Sequence, residues 1–465
     1  MEDLTEIMEK GRLIGRANYI LTPELSAEIG AVHGTYLGSK GIMVAARDYA
    51  NNSRMLKRAY IAGEMSAGID VLNLHSAPLP LVQFCIRRFG ASGGVYFSSG
   101  HTYTGNTAIR FFDSSGIEFS PKHINSMNEY FKNKKITRVE PLSIGSLSSI
   151  LQTFEVYKKT IPQFIDKKLI ESKKLKVVID CSYGPTGELA PEILNSINTQ
   201  VIALNTYYRP LANKMYPNLE SIREAAAIIK ASGSDMGAIF DTDGSRMLLL
   251  DETGNIVEFE DLLMLFISND DSILKSNMNP IITTTGCSRI LEDYAGNLEY
   301  HIKRIKNMPG EISQRLREDR GCFGAADTYK FYFPQYGPFS DAVFTLMKIL
   351  EIVAKKGEPL SSLIRNFPKT IKTHKMINTA PEILQTFDKK IKEKLKIEDV
   401  VILDTILGMK IVYGEGTWVS VAPSLYRDAI VFSSEAPDTK TSESLIKQIE
   451  QIIVPSTTNA KEKAK

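Results

Sequence analysis

The stretch MGAIFDTDGSRMLLLDETG sets two carboxylates, Asp241 and Asp243, two residues apart, with Arg246 beside them. In an extended backbone, residues two apart project to the same side. Carboxylates so placed repel each other unless a cation or a basic group lies between them, and a hard divalent ion such as Mg2+ takes such oxygen donors. Arg246 offers a planar fork to a phosphate or a carboxylate. Gly244 is the hinge of a tight turn between two apolar runs, 236–240 and 247–250, each read as a buried strand. The same residues also suit an acidic hairpin in which Asp and Gly serve turn chemistry alone. An EF-hand fits less well, because its loop needs Gly where Arg246 stands and helices on both sides.

The elements that must hold this loop alternate. Thr22 and Pro23 read as the cap and first residue of a helix over 21–28. Strands are expected at 42–46, 71–74 and 94–97, with helices at 53–67 and 80–89 between them. The order recurs as strand 176–180, helix 188–195, strand 200–204, helix 221–232 and strand 236–240. A looser copy runs through 280–284, 289–294, 299–304, 311–317 and 322–326. Alternation of this kind predicts mixed α/β layers with parallel pairing in each unit. The small, polar stretch 143–149 and the stretch 357–373 read as boundaries. Beyond them a helix over 380–393 and short strands at 400–404, 409–413, 417–421 and 429–433 predict a smaller α+β domain.

The chain has 465 residues, which suggests roughly three or four domains. Apolar content of 43% and charged content of 24% are those of a soluble globular protein. With 56 basic and 54 acidic residues the net charge is +2, which argues against nucleic acid as a partner. No apolar run is long enough to span a bilayer, so no membrane partner is expected. The acidic start Met1-Glu2-Asp3-Leu4 is unlike a secretory signal. Cys85, Cys181, Cys287 and Cys322 lack CxxC spacing and read as buried thiols of a reducing cytoplasm.

Three stretches carry a family likeness: IMVAARDYANNS (42–53), GVYFSSGHTYTGNTAIRFFD (94–113) and DTDGSR (241–246). LTPEL (21–25), VVIDCSYGPTG (177–187) and EAPD (435–438) support them. In order and spacing the chain resembles the alpha-D-phosphohexomutases: phosphoglucomutase, phosphomannomutase and phosphoglucosamine mutase. The resemblance implies three similar mixed α/β domains (1–149, 150–255 and 256–367) and a smaller C-terminal α+β domain (368–465) around a central cleft. It also implies a phosphoserine that exchanges its phosphoryl group with a sugar phosphate, helped by Mg2+ and a clamp for the other phosphate.

Against the family motifs, the parts are changed. In the catalytic loop, 98–103, Gly100 falls where the serine belongs, so the nucleophilic oxygen is missing. His101 matches, and Ser99 or Ser98 is the nearest substitute. In the metal loop Asp241 and Asp243 match, but Ser245 replaces the third aspartate, leaving Mg2+ a weak site or none. In the sugar loop, 324–329, Ala325 replaces the glutamate, Asp327 the serine and Tyr329 the histidine. In the phosphate loop, 422–428, Ala422 replaces the arginine, Ser424 is kept, and Arg427 is the nearby cation. The FGTDGIRG-like motif is not recognisable, with Gly11-Arg12 or Gly15-Arg16 as remnants. Arg47 and Arg246 join the cleft residues, whereas Lys40 and Arg54 read as solvated surface charges.

The resulting expectation is a mutase-fold protein without phosphohexomutase activity that binds a partner protein, such as an active paralogue, or a phosphosugar or other small ligand. The alternative is an active Mg2+-dependent phosphohexomutase, interconverting hexose 1- and 6-phosphates with a displaced serine. A third is another phosphate-handling enzyme that uses His101 as general acid–base.

Overall fold

The computed structural model describes residues 3–9, 11–98, 106–149, 152–208, 219–276, 280–306, 308–369, 373–384, 386–397, 400–404, 408–414, 416–423 and 429–454. Contact density divides the chain into two compact units. The larger comprises 1–282, 308–325 and 329–365; the smaller comprises 283–307, 326–328 and 366–465.

In the larger unit, the strand Ile42–Arg47 pairs in parallel with Asp70–Ser76 on one side and Gly93–Ser98 on the other. All of its residues but the first are buried, as a central parallel strand requires. Asn106–Asp113 continues the sheet antiparallel to Gly93–Ser98, and Arg12–Arg16 follows antiparallel to it. The stretch read as a polar boundary contributes the edge strand Leu147–Ser148, parallel to Asp70–Ser76. A second sheet runs in the order Met247–Asp251, Met236–Phe240, Lys176–Asp180 and Gln200–Leu204. Its first strand is antiparallel and the others are parallel. Lys330–Tyr332 adds a further short strand. Both sheets hold the expected parallel pairing and carry antiparallel strands at an edge, as mixed α/β layers do.

The helix Pro23–Tyr36 starts as expected: Thr22 Oγ1 accepts the Leu25 N–H at 3.2 Å. It packs closely against Asn51–Ser66, with glycines at the contact. A Cβ on Gly30 would lie 2.2 Å from the Tyr60 carbonyl oxygen, and one on Gly63 would lie 2.0 Å from that of Ala27. Buried His33 completes the crossing, with Nδ1 2.5 Å from the Tyr60 hydroxyl and 2.8 Å from Glu64. Gly63→Ala should force the helices apart and cost about 1–3 kcal/mol, read as a lower denaturation midpoint.

In the smaller unit, five antiparallel strands run in the order Thr373–Asn378, Ala429–Glu435, Thr417–Pro423, Met409–Gly414 and Val401–Asp404. The helix Thr439–Ile453 lays Ile446, Ile449 and Ile453 into its core with Val419, Ile430 and Phe432. The single helix expected over 380–393 is instead two segments, Pro381–Leu384 and Phe387–Lys394. Among the described residues no helix is long and apolar enough to cross a membrane. All four cysteines are free and buried.

Candidate functional site

The loop 241–246 joins two buried antiparallel strands, with Phe240 opposite Met247. Gly244 has φ +74°, a left-handed conformation that side chains disfavour. The loop is anchored through its backbone. The Asp243 carbonyl accepts the N–H of Leu79, and the Gly244 carbonyl accepts that of Ala342, at 2.8 and 3.0 Å. These are the first residues of the helices Leu79–Arg88 and Ala342–Lys356, so two helix N-termini grip the turn.

Both carboxylates turn inward. Asp241 Oδ1 accepts the N–H groups of Ser245 and Arg246 at 2.8 and 3.0 Å, and Oδ2 accepts the Ser245 hydroxyl at 3.2 Å. Asp243 Oδ1 shares the Ser245 N–H at 3.0 Å, and its Oδ2 meets Arg110 Nη1 at 2.5 Å. Arg110 rises from the strand Asn106–Asp113 and is 2% exposed. Its remaining donors hold Glu118 bidentately, both at 2.9 Å. Arg12 grips the same carboxylate at 2.6 and 3.1 Å. The result is one alternating line of charge, Arg12–Glu118–Arg110–Asp243, ending in the loop.

Burial disfavours each of these charges, but their pairing prevails. Burial pushes the Glu118 carboxyl up, yet Arg110 and Arg12 hold it well below the ordinary value. Burial works against the Arg110 charge too, and Glu118 and Asp243 outweigh it. Asp241 has weaker compensation: burial and then the Asp243 charge push its carboxyl up to about 7. Arg246 Nε lies 3.7 Å from Asp241, at long range for an ion pair. Lys330 joins the cluster, and burial followed by the charges of Arg246 and Arg110 brings its ammonium down to about 7.

This donor set does not fit Mg2+. One Asp243 oxygen is taken by a guanidinium, the Asp241 oxygens are spent on the loop's own N–H and O–H groups, and the third donor position is a serine. Among the described residues no group of three or more His, Cys, Asp or Glu could hold a metal ion.

The other expected site residues are dispersed. Ser99, Gly100, His101, Ser424 and Arg427 lie outside the described residues. Ser98 is buried at the end of the strand Gly93–Ser98. Asp327 is not a bare negative charge: Lys410 lies 3.5 Å from it and the Thr284 hydroxyl donates to it at 3.0 Å. Tyr329, at φ +58°, gives its carbonyl to the Met247 N–H at 3.2 Å and stacks edge-on against Phe259. It braces the strand that leaves the loop. Arg47 lines a pocket with Arg54, Lys57 and Arg58. Arg12, one of the proposed N-terminal remnants, does reach the site. Arg110, Glu118 and Lys330 were missed, and the available signal was a charge inside an apolar strand, NTAIRFFD.

Models of the phosphoglucomutase/phosphomannomutase alpha/beta/alpha domains I, II and III match residues 8–138, 155–254 and 260–371. The chain belongs to the alpha-D-phosphohexomutase family. A phosphoglucomutase/phosphomannomutase of Thermococcus kodakarensis is 28% identical over 432 residues, covering 91% of this chain and 92% of that protein. Among solved structures, a phosphoglucomutase/phosphomannomutase family protein from Burkholderia thailandensis superposes with a TM-score of 0.75 at 20% identity, covering 97% of this chain and 98% of that one. The phosphoglucomutase parafusin from Paramecium gives 0.70 at 14% identity, covering 97% and 95%. At these identities the structural likeness shows the phosphohexomutase fold and no more.

Proposed function

We propose that this phosphohexomutase-family chain does not turn over hexose phosphates and acts as a binding homologue. Its ligand is an anionic small molecule of the phosphosugar class, held near the 241–246 loop. The observation that carries the reading is the 2.5 Å contact between Arg110 and Asp243, which puts a fixed cation on a carboxylate of the family's metal loop. Arg246 and Lys330 beside it favour an anion over a neutral sugar. Ser245 for the third aspartate and Gly100 for the serine agree with it.

The competing reading is an active mutase that uses Ser98 or Ser99, and the mutase names of the relatives favour it. Intact-mass analysis of the purified protein, with a coupled assay on glucose 1-phosphate and mannose 1-phosphate in Mg2+, separates the two. No phosphoserine and no turnover are expected. A phosphorylated Ser98 or Ser99 together with Mg2+-dependent conversion would overturn the proposal.

A further inference from the structure

A second concentration of positive charge lies in the first sheet's domain and shares no lining residue with the 241–246 loop. A cavity of about 180 Å³ is lined by Arg47, Arg54, Lys57, Arg58, Asn73 and His75, with no carboxylate among its described lining residues. Arg54, Lys57 and Arg58 sit at i, i+3 and i+4 on the helix Asn51–Ser66, so they share one face. Like charges at that spacing destabilise a helix. Arg47 ends the strand Ile42–Arg47 and is 7% exposed; Asn73 and His75 come from Asp70–Ser76. The pairing of these strands shifts register between Ala45 and Ala46, skipping a residue just where Asn73 and His75 face the cavity. Such bulges re-aim side chains.

Lys57 is the telling residue. It is 3% exposed, yet its ammonium meets only neutral acceptors: Asn73 Oδ1 at 2.5 Å and the His75 carbonyl at 3.4 Å. Buried charges are ordinarily paired, because isolating one costs several kcal/mol. Among the described residues no ion pair reaches Arg47, Arg54, Lys57 or Arg58. Asp48 follows Arg47, but its carboxylate caps the Ala50 N–H at 2.9 Å. Burial, then the charges of Arg47, Arg58 and Arg54, hold the Lys57 ammonium down to about 7. Burial, then the charges of Lys57, Arg47 and Arg58, lower the His75 imidazole. The Asp48 charge offsets part of this repulsion at Arg47; among the described residues no carboxylate pairs with the Lys57 ammonium, and a bound anion would supply the missing charge.

We propose that this cavity binds a phosphate group, free or as the monoester of a small molecule, at a site separate from the 241–246 loop. Three permanent guanidinium charges and an ammonium call for a dianion. The volume is below the roughly 300–1,000 Å³ of sites for drug-sized ligands, which fits a phosphate with a small substituent. Arg47 and Lys57 form the floor and the exposed Arg54 and Arg58 the rim.

The test is calorimetric titration of the full chain, at low salt, with inorganic phosphate, with glucose 6-phosphate and with a short single-stranded RNA. The wild type should bind phosphate or its ester saturably. Lys57→Met should weaken binding by about thirtyfold or more, as removal of a buried charge partner does. The rim variant Arg54→Ala/Arg58→Ala, which disturbs no buried group, should weaken it as well, while Lys40→Ala, an exposed charge outside both sites, should leave it unchanged. Phosphate stronger than the ester identifies the free ion, and the reverse identifies the ester. With sulfate, whose charge is constant across this range, binding should weaken as pH rises through 7, by up to about tenfold per unit. Three results would overturn the proposal: no saturable binding, binding lost in Arg246→Ala but kept in both cavity variants, or RNA binding tighter than either phosphate.

Discussion

Arg110→Met is expected to lower stability by about 3–5 kcal/mol, the cost of removing one partner from a buried ion pair. Methionine retains most of the apolar bulk, so the loss reports charge. Asp243 and Glu118, 3% and 8% exposed, are both left short of a partner. Arg12→Met should cost less, because Arg110 still holds Glu118 with two hydrogen bonds. Urea denaturation followed by circular dichroism measures both. The pH dependence has a definite sign. Glu118 has a depressed carboxyl, so its contribution is present above its ordinary value of 4.5 and is lost as pH falls below it. Arg110→Met should flatten that acid limb. It should also gain melting temperature from millimolar Mg2+, whereas the wild type should not respond. A loss under about 1 kcal/mol, the size of an exposed pair, would mean the line of charge contributes little net stability.

Gly100→Ser is expected to leave mutase turnover undetectable. One missing transition-state contact costs about 10²–10³ in kcat. A hydroxyl restored at position 100 would leave the metal loop unchanged, with Ser245 for an aspartate and Arg110 on Asp243. The combination Gly100→Ser, Ser245→Asp and Arg110→Met should be the first to show Mg2+-dependent phosphoserine after incubation with a hexose bisphosphate, read by intact mass. Turnover in the Gly100→Ser single variant would show that the loop tolerates its arginine, and the reading of a closed metal loop would fail.

The second sheet was the most legible part of the fold. Lys176–Asp180, Gln200–Leu204 and Met236–Phe240 fall where apolar runs are bounded by polar residues. Asn106–Asp113 was passed over because polar residues precede it and a charge interrupts it. That charge, Arg110, is buried because Glu118 and Asp243 meet it there. The helix Ala342–Lys356 is buried over nearly its whole length, so it lacks the polar stripe that marks a surface helix. At the site, the two aspartates could be read from local spacing. Their partner could not, since Arg110 lies 133 residues from Asp243 in the chain and only the tertiary fold joins them. The changed motifs could be recognised by likeness, but the cationic cavity could not. Arg54 looks like an ordinary surface residue until Arg47 and Lys57 are placed beside it.

The 2.5 Å Arg110–Asp243 contact has a further consequence. A counter-ion borne on a side chain has no off-rate and no concentration. A chelator cannot strip it, and depletion of divalent ions in the medium leaves it in place. The conformation of this turn is thereby uncoupled from the ionic supply of the cell, and EDTA should leave its hydrogen-exchange protection unaltered.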